Sequence, residues 1–331
     1  MSVYAVVTTV NAPTKGVIEL ERRFNSRLIV VGDSKTPDNW ECGKADFLSL
    51  VDQSKLQIPY VDLAPVKHYA RKNIGYLQAM RKGATVIYDT DDDNIPNQVW
   101  MYRHQTLPWA SIVNKAGWCN VYKLFSDEPI WPRGLALESV TTAVDSVSSV
   151  ESEKCPIQQG IADGNPDVDA IWRLTQSRSF TFQKPGSVVL DEGVWCPVNS
   201  QSTWWWPEAF PLMYLPAHAT FRMTDIWRGF VAQRCLWAMG HRVAHHSPAE
   251  VFQERNPHNL LKDFADEIPG YLNNAKIAEI LDSLHLGSNP DCVYTNVMAC
   301  YMALVDAGLL PHRELRELEV WLRSVRNILV R

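Results

Sequence analysis

Three apolar runs rich in β-branched residues, alternating with helical patterns, constrain the fold of this chain more than any other feature. The runs are Val3–Val10, Leu28–Val31 and Thr85–Tyr88, and the helical patterns between them are Val17–Phe24 and Ile74–Arg81. Such alternation is typical of βαβ units, in which helices cover both faces of a parallel sheet. We therefore predict an α/β fold built on a mostly parallel sheet flanked by helices.

The rest of the chain predicts two further regions. The pattern loosens into loops and short strands from Trp100 to about Gln201, whereas helical spacing dominates from Thr224, a predicted N-cap, onwards. Three helices are predicted near the C-terminus, at Ala275–Leu284, Pro290–Asp306 and His312–Val330. We predict one α/β domain over residues 1–259 and a C-terminal helical region over residues 260–331. An apolar stripe on the last helix, at Leu315, Leu318, Leu322, Val325 and Leu329, is a candidate surface for self-association or partner association.

Charge and composition exclude several classes of protein. The net charge is −5 over 331 residues, without a long Lys/Arg block, so we expect neither nucleic acid nor an anionic membrane as the main partner. The first residues lack the basic region of a signal peptide, and no apolar stretch has membrane-spanning length. Seven scattered cysteines without a CxxC pair are typical of reduced thiols. A cytoplasmic protein without a transmembrane segment is expected.

The acidic run Asp89-Thr90-Asp91-Asp92-Asp93 directly follows the third apolar run. Alternate residues of an extended segment face the same side, so Asp89 and Asp91 are expected to point together, with Asp92 turning inward as the strand ends. Carboxylate oxygens are the ligands that Mn²⁺ and Mg²⁺ prefer. The alternatives are a solvated acidic turn and a calcium loop. The calcium loop is disfavoured because the glycine at the sixth loop position and the paired flanking helices are missing.

A second group of residues precedes the acidic run. The segment Arg71-Lys72-Asn73-Ile74-Gly75-Tyr76 opens a predicted helix, and basic side chains at a helix N-terminus suit a diphosphate. Asn11 and Asp33 follow the first two predicted strands. Ligands of open α/β sheets bind where strands end, so these residues and the acidic run are expected to line one crevice.

The order of these motifs resembles that of the GT-A glycosyltransferases, which carry a similar Asn-x-Gly helix immediately before their DxD motif. A more specific resemblance, to the STELLO family of glycosyltransferases, runs across about residues 3–240. It rests on six segments, Val30-Val31-Gly32-Asp33-Ser34-Lys35-Thr36-Pro37, Lys72-Asn73-Ile74-Gly75-Tyr76-Leu77, Trp131-Pro132-Arg133-Gly134-Leu135, Gln158-Gln159-Gly160-Ile161, Pro166-Asp167-Val168-Asp169 and Arg222-Met223-Thr224-Asp225-Ile226-Trp227-Arg228-Gly229. The plant members are Golgi membrane proteins linked to cellulose synthase, so the resemblance implies a fold and a donor site but neither location nor acceptor.

The resemblance implies a GT-A-like domain that binds a nucleotide-sugar donor. Thr8, Thr9, Asn11 and Asp33 would contact the base and ribose, and an Asp33 that accepts a uracil N–H would favour UDP-sugars. A turn aspartate that caps its local backbone is the alternative for Asp33. The remaining donor-binding candidates are Arg71, Asn73, Gly75, Asp89 and Arg133, the last as a bidentate phosphate ligand. The candidate Mn²⁺ or Mg²⁺ ligands are Asp89, Asp91, Asp92 and a C-terminal histidine, chosen as His246 over His245 and His258.

Transfer with inversion also requires a carboxylate that deprotonates the acceptor hydroxyl. Asp225 is the candidate because its Thr-Asp at a helix start resembles the Thr-Glu-Asp of processive glycan synthases. Glu138, Asp167 and Asp169 are the alternatives, and the structural alternative for Asp225 is an ion pair with Arg222 or Arg228.

We therefore expect a metal-dependent glycosyltransferase that acts on a carbohydrate-type acceptor. Two other functions remain open at this stage. One is a nucleotide-sugar mutase, because the reversibly glycosylated plant proteins combine a similar core with an acidic triplet. The other is a non-catalytic nucleotide-sugar-binding protein that recruits glycan-assembly enzymes through its C-terminal helices.

Overall fold

The structure is a computed structural model that describes residues 2–144, 147–176, 178–255 and 259–330. Its strands are β1 (Val3–Thr9), β2 (Leu28–Gly32), β3 (Asp46–Leu48), β4 (Val86–Thr90), β5 (Asn94–Pro96), β6 (Thr106–Val113), β7 (Gly117–Trp118), β8 (Val147–Lys154), β9 (Ile157–Asp163), β10 (Gly186–Leu190), β11 (Val194–Trp195), β12 (Ser202–Trp205) and β13 (Val243–Gln253). Its α-helices are α1 (Lys15–Phe24), α2 (Leu50–Ser54), α3 (Lys72–Arg81), α4 (Tyr122–Phe125), α5 (Ala170–Gln176), α6 (Thr224–Ala238), α7 (Leu260–Asp282), α8 (Val293–Asp306) and α9 (Arg313–Leu329).

One large mixed sheet organises the chain. Its strand order is β3-β2-β1-β4-β12-β9-β13-β10-β6-β8, and β5 pairs with β13 beside this path. The four strands from β3 to β4 are parallel, as the alternation of strands and helices predicts. The predicted α/β class, with flanking helices and a helical C-terminus, is confirmed.

Strand β12 determines which strand ends meet at one edge of the sheet. It is antiparallel to β4 on one side and to β9 on the other, and β9 is parallel to β13. Strand β9 is therefore parallel to β4, and β9 and β13 run in the same direction as β1, β2 and β4. The carboxyl ends of these five strands therefore lie along a single edge.

The C-terminal helices share a hydrophobic core with the α/β layer. Buried side chains of α6, α8 and α9 belong to the same cluster as those of α3 and of one face of β1 and β2. On α9, Leu318 and Val325 are fully buried and Leu322 is nearly so, which means that much of the apolar stripe packs within the chain. The predicted boundary after residue 259 stays a prediction.

One local prediction is wrong. Thr224 does not cap α6, because its hydroxyl donates to the carbonyl of Thr220 and Met223 occupies the cap position.

The segment from Trp100 to Gln201, predicted as loops and short strands, contributes strands β6, β8, β9 and β10 to the large sheet. Strand β8 was not located from the sequence. Its side chains are exposed or partly exposed, and its polar sequence lacks the apolar alternation that identifies a strand.

Within the described ranges, none of the helices combines the length and the apolar character that crossing a membrane requires.

Candidate functional site

A cavity of about 320 Å³ lies at the edge where β1, β2, β4, β9 and β13 end. Its lining is mostly polar and charged. The lining residues are Thr8, Thr9, Val10, Asn11, Asp33, Ser34, Lys35, Lys67, His68, Tyr69, Asp91, Asp92, Asp93, Arg133, Pro166, Asp167, Val168, Arg173, Phe221, Arg222, Asp225, Gln253 and Arg255. The crevice predicted at the strand ends therefore exists, and it extends beyond the predicted residues to the ends of β9 and β13.

The ends of β1 and β2 form one end of the cavity. The Thr9 hydroxyl donates to Asp92 Oδ2 at 2.6 Å and the Asn11 amide donates to the same oxygen at 2.9 Å, which ties the end of β1 to the acidic run. The Asp33 carboxylate accepts the backbone N–H groups of Ser34 and His68. Asp33 therefore does cap its local backbone, as the alternative reading has it, and it also faces the cavity.

Asp91 lies in the wall next to this end and is held by the half-buried Tyr69 and the buried Lys72. Its Oδ1 accepts the Tyr69 hydroxyl at 2.6 Å and the Lys72 ammonium at 3.1 Å. Burial raises the pKa of Asp91, while Lys72 and the hydrogen bond from Tyr69 limit the rise. The side chain keeps an exposed fraction of 28%, so a ligand in the cavity can reach it.

Asp89, predicted as a ligand of the donor and of the cation, does not line the cavity. Strand β4 continues to Thr90, so Asp89 is an interior strand residue with no exposed surface. Its carboxylate lies 2.7 Å from Lys72 Nζ and 3.0 Å from Arg228 Nη1, and accepts the Ser200 hydroxyl. These buried partners occupy the carboxylate and make Asp89 part of the core.

The three donor-binding candidates around the start of α3 are also core residues. Arg71 is buried and donates to the Ala64 carbonyl, and the Asn73 amide bonds Tyr60 and the backbone of Leu215. A Cβ at Gly75 would lie 2.6 Å from the Val6 side chain, so this glycine lets α3 pack closely on the sheet. None of the three lines the cavity, so their binding of the donor stays a prediction that these structural roles do not support.

Arg133 joins two carboxylates at the other end of the cavity. Its Nε and Nη2 donate to the two oxygens of Asp167, both at 2.9 Å, and its Nη1 and Nη2 reach Asp225 at 3.1 Å. Burial would raise the pKa of Asp225, but Arg133 outweighs it and, with Arg228 and Arg222, keeps that pKa below its usual value. Asp225 is therefore ionised at neutral pH, and its ion-pair partner is Arg133 rather than the neighbours suggested by the sequence.

The other candidates for the acceptor-activating carboxylate are placed differently. Asp167 lines the cavity beside Asp225, whereas Asp169 is buried outside it and accepts the Trp131 indole and the Trp172 backbone N–H. Burial raises the pKa of Asp169 to about 6. Glu138 is exposed on the surface and does not line the cavity. Only Asp225 and Asp167 are in position to meet a substrate.

His246, predicted as a metal ligand, is a buried residue of β13 and does not line the cavity. Its Nδ1 hydrogen-bonds Ser187 at 2.8 Å and its Nε2 hydrogen-bonds Gln158 at 3.0 Å, so both ring nitrogens are engaged. Burial, together with Arg103 and His245, keeps the pKa of His246 well below its usual value. His258 lies outside the described residues.

The neighbouring His245 predicts a specific loss of stability on acidification. Burial lowers its pKa from 6.5 to about 4. Between these values only the unfolded chain binds the proton, so the free energy of unfolding falls as the pH drops through this range. At 1.36 kcal/mol per pKa unit, His245 should account for about 2 kcal/mol of the loss between pH 7 and pH 5.

Urea unfolding of the wild type and of His245→Leu at both pH values checks this prediction. The variant should lose about 2 kcal/mol less than the wild type, since His246 titrates in both proteins. An exposed control, His285→Gln, should behave like the wild type. Equal losses in the wild type and His245→Leu would contradict the prediction.

A divalent cation fits only part of the predicted ligand set. Among the described residues, no three His, Cys, Asp or Glu side chains converge on one cation position. Asp91, Asp92 and Asp93 nevertheless all line the cavity. Sites for Mg²⁺ commonly use one or two carboxylates and complete the shell with substrate phosphates, so one or two of these three could meet that requirement. Asp91 and Asp92 belong to the predicted ligand set, and Asp93 is an addition to it.

Several residues that form or support the cavity carried no prediction. Tyr69, which lines the cavity, precedes the predicted helix, and Lys72, a buried residue that supports Asp91, lies in the segment from which Arg71 was chosen instead. Arg173 lies close in sequence to the recognised segment Pro166-Asp167-Val168-Asp169 but was not itself predicted. Nothing in the sequence singled out Gln253 or Arg255. Those two residues enter the site because β13 ends at the shared edge, which is a property of the sheet topology.

Comparison with known proteins confirms the resemblance to the STELLO glycosyltransferases. The sequence model of that family matches residues 222–330. Two Arabidopsis thaliana proteins, named probable glycosyltransferase STELLO1 and STELLO2, are 28% and 27% identical to this chain over 97% of its length. The chain spans 44% of the length of each relative.

Proposed function

We propose that this chain, as a relative of the STELLO glycosyltransferases over nearly its whole length, transfers a sugar from a nucleoside-diphosphate sugar to a carbohydrate hydroxyl. The observation that carries the proposal is the cavity at the carboxyl edge of the sheet, whose lining includes polar strand-end residues, Asp91, Asp92, Asp93 and Asp225. The similarity to proteins named as glycosyltransferases supports the same reaction class.

The donor would lie with its nucleoside at the ends of β1 and β2. Thr8 and Asn11 line this end, and Asp33 carries carboxylate lone pairs that can accept a uracil N–H, so a uridine donor is favoured. The diphosphate would then lie beside Asp91, Asp92 and Asp93, which would hold Mn²⁺ or Mg²⁺. When bound, the cation would neutralise charge that develops on the leaving diphosphate.

The chain's own residues would position the acceptor. Asp225 lines the opposite end of the cavity and is ionised, so it can accept the proton of an acceptor hydroxyl. The Arg133 guanidinium donates hydrogen bonds to both Asp225 and Asp167, which fixes the orientation of the two carboxylates. Lys72 and Tyr69 hold Asp91 in the wall in the same way.

Calorimetric titration of UDP, GDP and CMP, with and without Mn²⁺, tests the donor site. We expect UDP to bind more tightly than the other two, in a Mn²⁺-dependent manner, and Asp91→Asn to weaken it about tenfold or more because a charged ligand is lost. Asp127→Asn, which removes a carboxylate that is 87% exposed outside the cavity, is the matched control and should bind like the wild type. Binding of no nucleotide under any condition would contradict the proposal.

Incubation of the purified protein with the nucleotide-sugar donor distinguishes sugar transfer from the two alternative functions. Incubation with the donor alone should leave the sugar ring unchanged, because transfer needs an acceptor. Isomerisation of the sugar without an acceptor would indicate a mutase. Donor binding without turnover in an acceptor screen would indicate a binding protein.

A further inference from the structure

The cavity lining carries two groups of charged side chains. Asp33, Asp91, Asp92 and Asp93 line the end near β1, β2 and β4, together with Lys35 and Lys67, and four arginines, Arg133, Arg173, Arg222 and Arg255, line the other end. Of the carboxylates that pair with these arginines, only Asp167 and Asp225 face the cavity. Glu267 and Asp263 contact Arg222 and Arg255 from α7, behind the wall. Two of the four carboxylates that pair with these arginines therefore lie behind the wall, and two lie in the cavity beside them.

Arg173 differs from the other three arginines in its partners. It is 6% exposed, and its guanidinium donates to Asn165 Oδ1 at 3.1 Å and to the Pro166 carbonyl at 2.6 Å, both neutral acceptors. Burial lowers the pKa of Arg173 to about 10, the nearby charges of Arg255 and Arg222 contribute to the decrease, and the charge of Asp167 opposes it. Buried cations are usually paired, and here the described contacts of Arg173 include no carboxylate.

The sheet order locates this cluster relative to the donor. Arg173 follows β9 and Arg255 follows β13, whereas Asp91, Asp92 and Asp93 follow β4. Strand β12 lies between β4 and β9, so β9 is two strand spacings, about 10 Å, beyond the end of β4. Arg255 lies closer to the acidic run, because β5 pairs with β13 and the Gln253 amide donates to Asp93. A donor whose nucleoside lies at β1 and β2 and whose diphosphate lies at the acidic run would direct its sugar, and the acceptor, towards the arginines.

We propose that the arginine end of the cavity binds an anionic group, a carboxylate or phosphate, carried by the transferred sugar or by the acceptor. This inference rests on the proposed function for the direction of the donor. Arginine presents paired N–H groups to planar or tetrahedral oxyanions, and an anion would also relieve the repulsion among the neighbouring guanidinium groups. The substrate class is thus an acidic or phosphorylated sugar rather than a neutral one.

Two matched pairs of ligands distinguish the sources of the anion. Affinity for UDP-glucuronate against UDP-glucose tests a carboxylate on the donor sugar. Affinity for glucose 6-phosphate against glucose, at saturating UDP, tests an anionic acceptor. We expect at least one acidic ligand to bind about tenfold more tightly than its neutral partner, and Arg173→Gln and Arg255→Gln each to remove that preference.

Controls keep the two proposals separable. Arg178→Gln removes an exposed arginine that pairs with Glu128 outside the cavity, and it should retain the preference. UDP itself should bind Arg173→Gln and Arg255→Gln within about twofold of the wild type. Loss of UDP binding in these variants would mean that the arginines hold the diphosphate, and it would overturn the inference. Equal binding of acidic and neutral ligands in both pairs would also overturn it.

If the wild type binds no UDP, the proposed function fails but the anion site can still be tested. Inorganic phosphate, titrated without nucleotide into the wild type, Arg173→Gln and Arg178→Gln, then serves as the probe. Binding that is weakened only in Arg173→Gln supports the anion site, and binding that all three share equally overturns it. Because Arg173 is buried, circular dichroism should first establish that its variant is folded, and Arg255→Gln provides a second, more exposed substitution.

Discussion

Replacing Asp89 with asparagine is expected to lower the free energy of unfolding by about 3–5 kcal/mol, in the absence of any ligand. The substitution keeps the shape of the side chain but removes its charge. Lys72 and Arg228, both without exposed surface, would then lose the carboxylate that lies 2.7 and 3.0 Å from them. Removing one partner of a buried ion pair is costly because the remaining charge stays buried without compensation.

Chemical denaturation of the purified protein measures this effect. Asp127→Asn is the matched control, because its ion pair with Lys184 is exposed, and such pairs contribute between about 0 and 1 kcal/mol. A loss below about 1 kcal/mol in Asp89→Asn would contradict the assignment of Asp89 to the core. Mn²⁺ should not change the difference between Asp89→Asn and the wild type, whereas it would if Asp89 held the cation.

Replacing Asp225 with asparagine is expected to lower kcat by about 100-fold or more while leaving UDP affinity within about twofold of the wild type. Asparagine keeps the size of the side chain and a carbonyl oxygen for Arg133, but it cannot accept the proton of the acceptor. The nucleoside end of the cavity is formed by other residues and should be unaffected. The pKa of Asp225 lies below its usual value, so the wild-type rate should show no acid limb from this group near neutral pH.

Steady-state kinetics with the nucleotide sugar identified by calorimetry tests this prediction. Glu138→Gln removes an exposed carboxylate outside the cavity and should leave kcat within about twofold. Asp225→Glu should restore part of the rate, because it returns the carboxylate, whereas a purely structural role would not distinguish glutamate from asparagine in this way. Unchanged turnover in Asp225→Asn would indicate either that Asp167 accepts the proton of the acceptor hydroxyl or that the reaction retains the anomeric configuration.

The acidic run shows how far the sequence alone could locate the site. The position of the run after a buried strand was predictable, because apolar β-branched residues and carboxylates follow one another directly. The first aspartate beyond the strand was not predictable, since β4 continues to Thr90, two residues beyond the predicted end at Tyr88. A shift of that size moves Asp89 into the core and brings Asp93 to the cavity.

The start of α3 illustrates a different limit. The sequence predicts that basic residues at the start of this helix bind a phosphate. Nothing in the local sequence distinguishes the role of Arg71 from that of Lys72. In the structure Lys72 reaches Asp89 and Asp91, and Arg71 turns towards the Ala64 carbonyl. The direction of each side chain depends on how the helix sits on β1 and β2, which is a tertiary property.

The arginine end of the cavity was the least predictable part. Its residues come from segments after β9 and β13 and from the start of α6, far apart along the chain. They meet because β12 is antiparallel to both β4 and β9, so that β9 and β13 end at the same edge as β4. No local sequence pattern contains that information. The Asp167 and Asp225 segments were recognised, but their joining by Arg133 required the fold.

The common direction of β1, β2, β4, β9 and β13 has a practical consequence for labelling. Gly83 and Gly240 are exposed turn residues with positive φ that precede β4 and β13, so they lie at the opposite edge of the sheet from the cavity. A cysteine-linked dye or a short epitope inserted beside either turn should leave substrate access open. The same insertion after Asn11 or Gln253 should obstruct it.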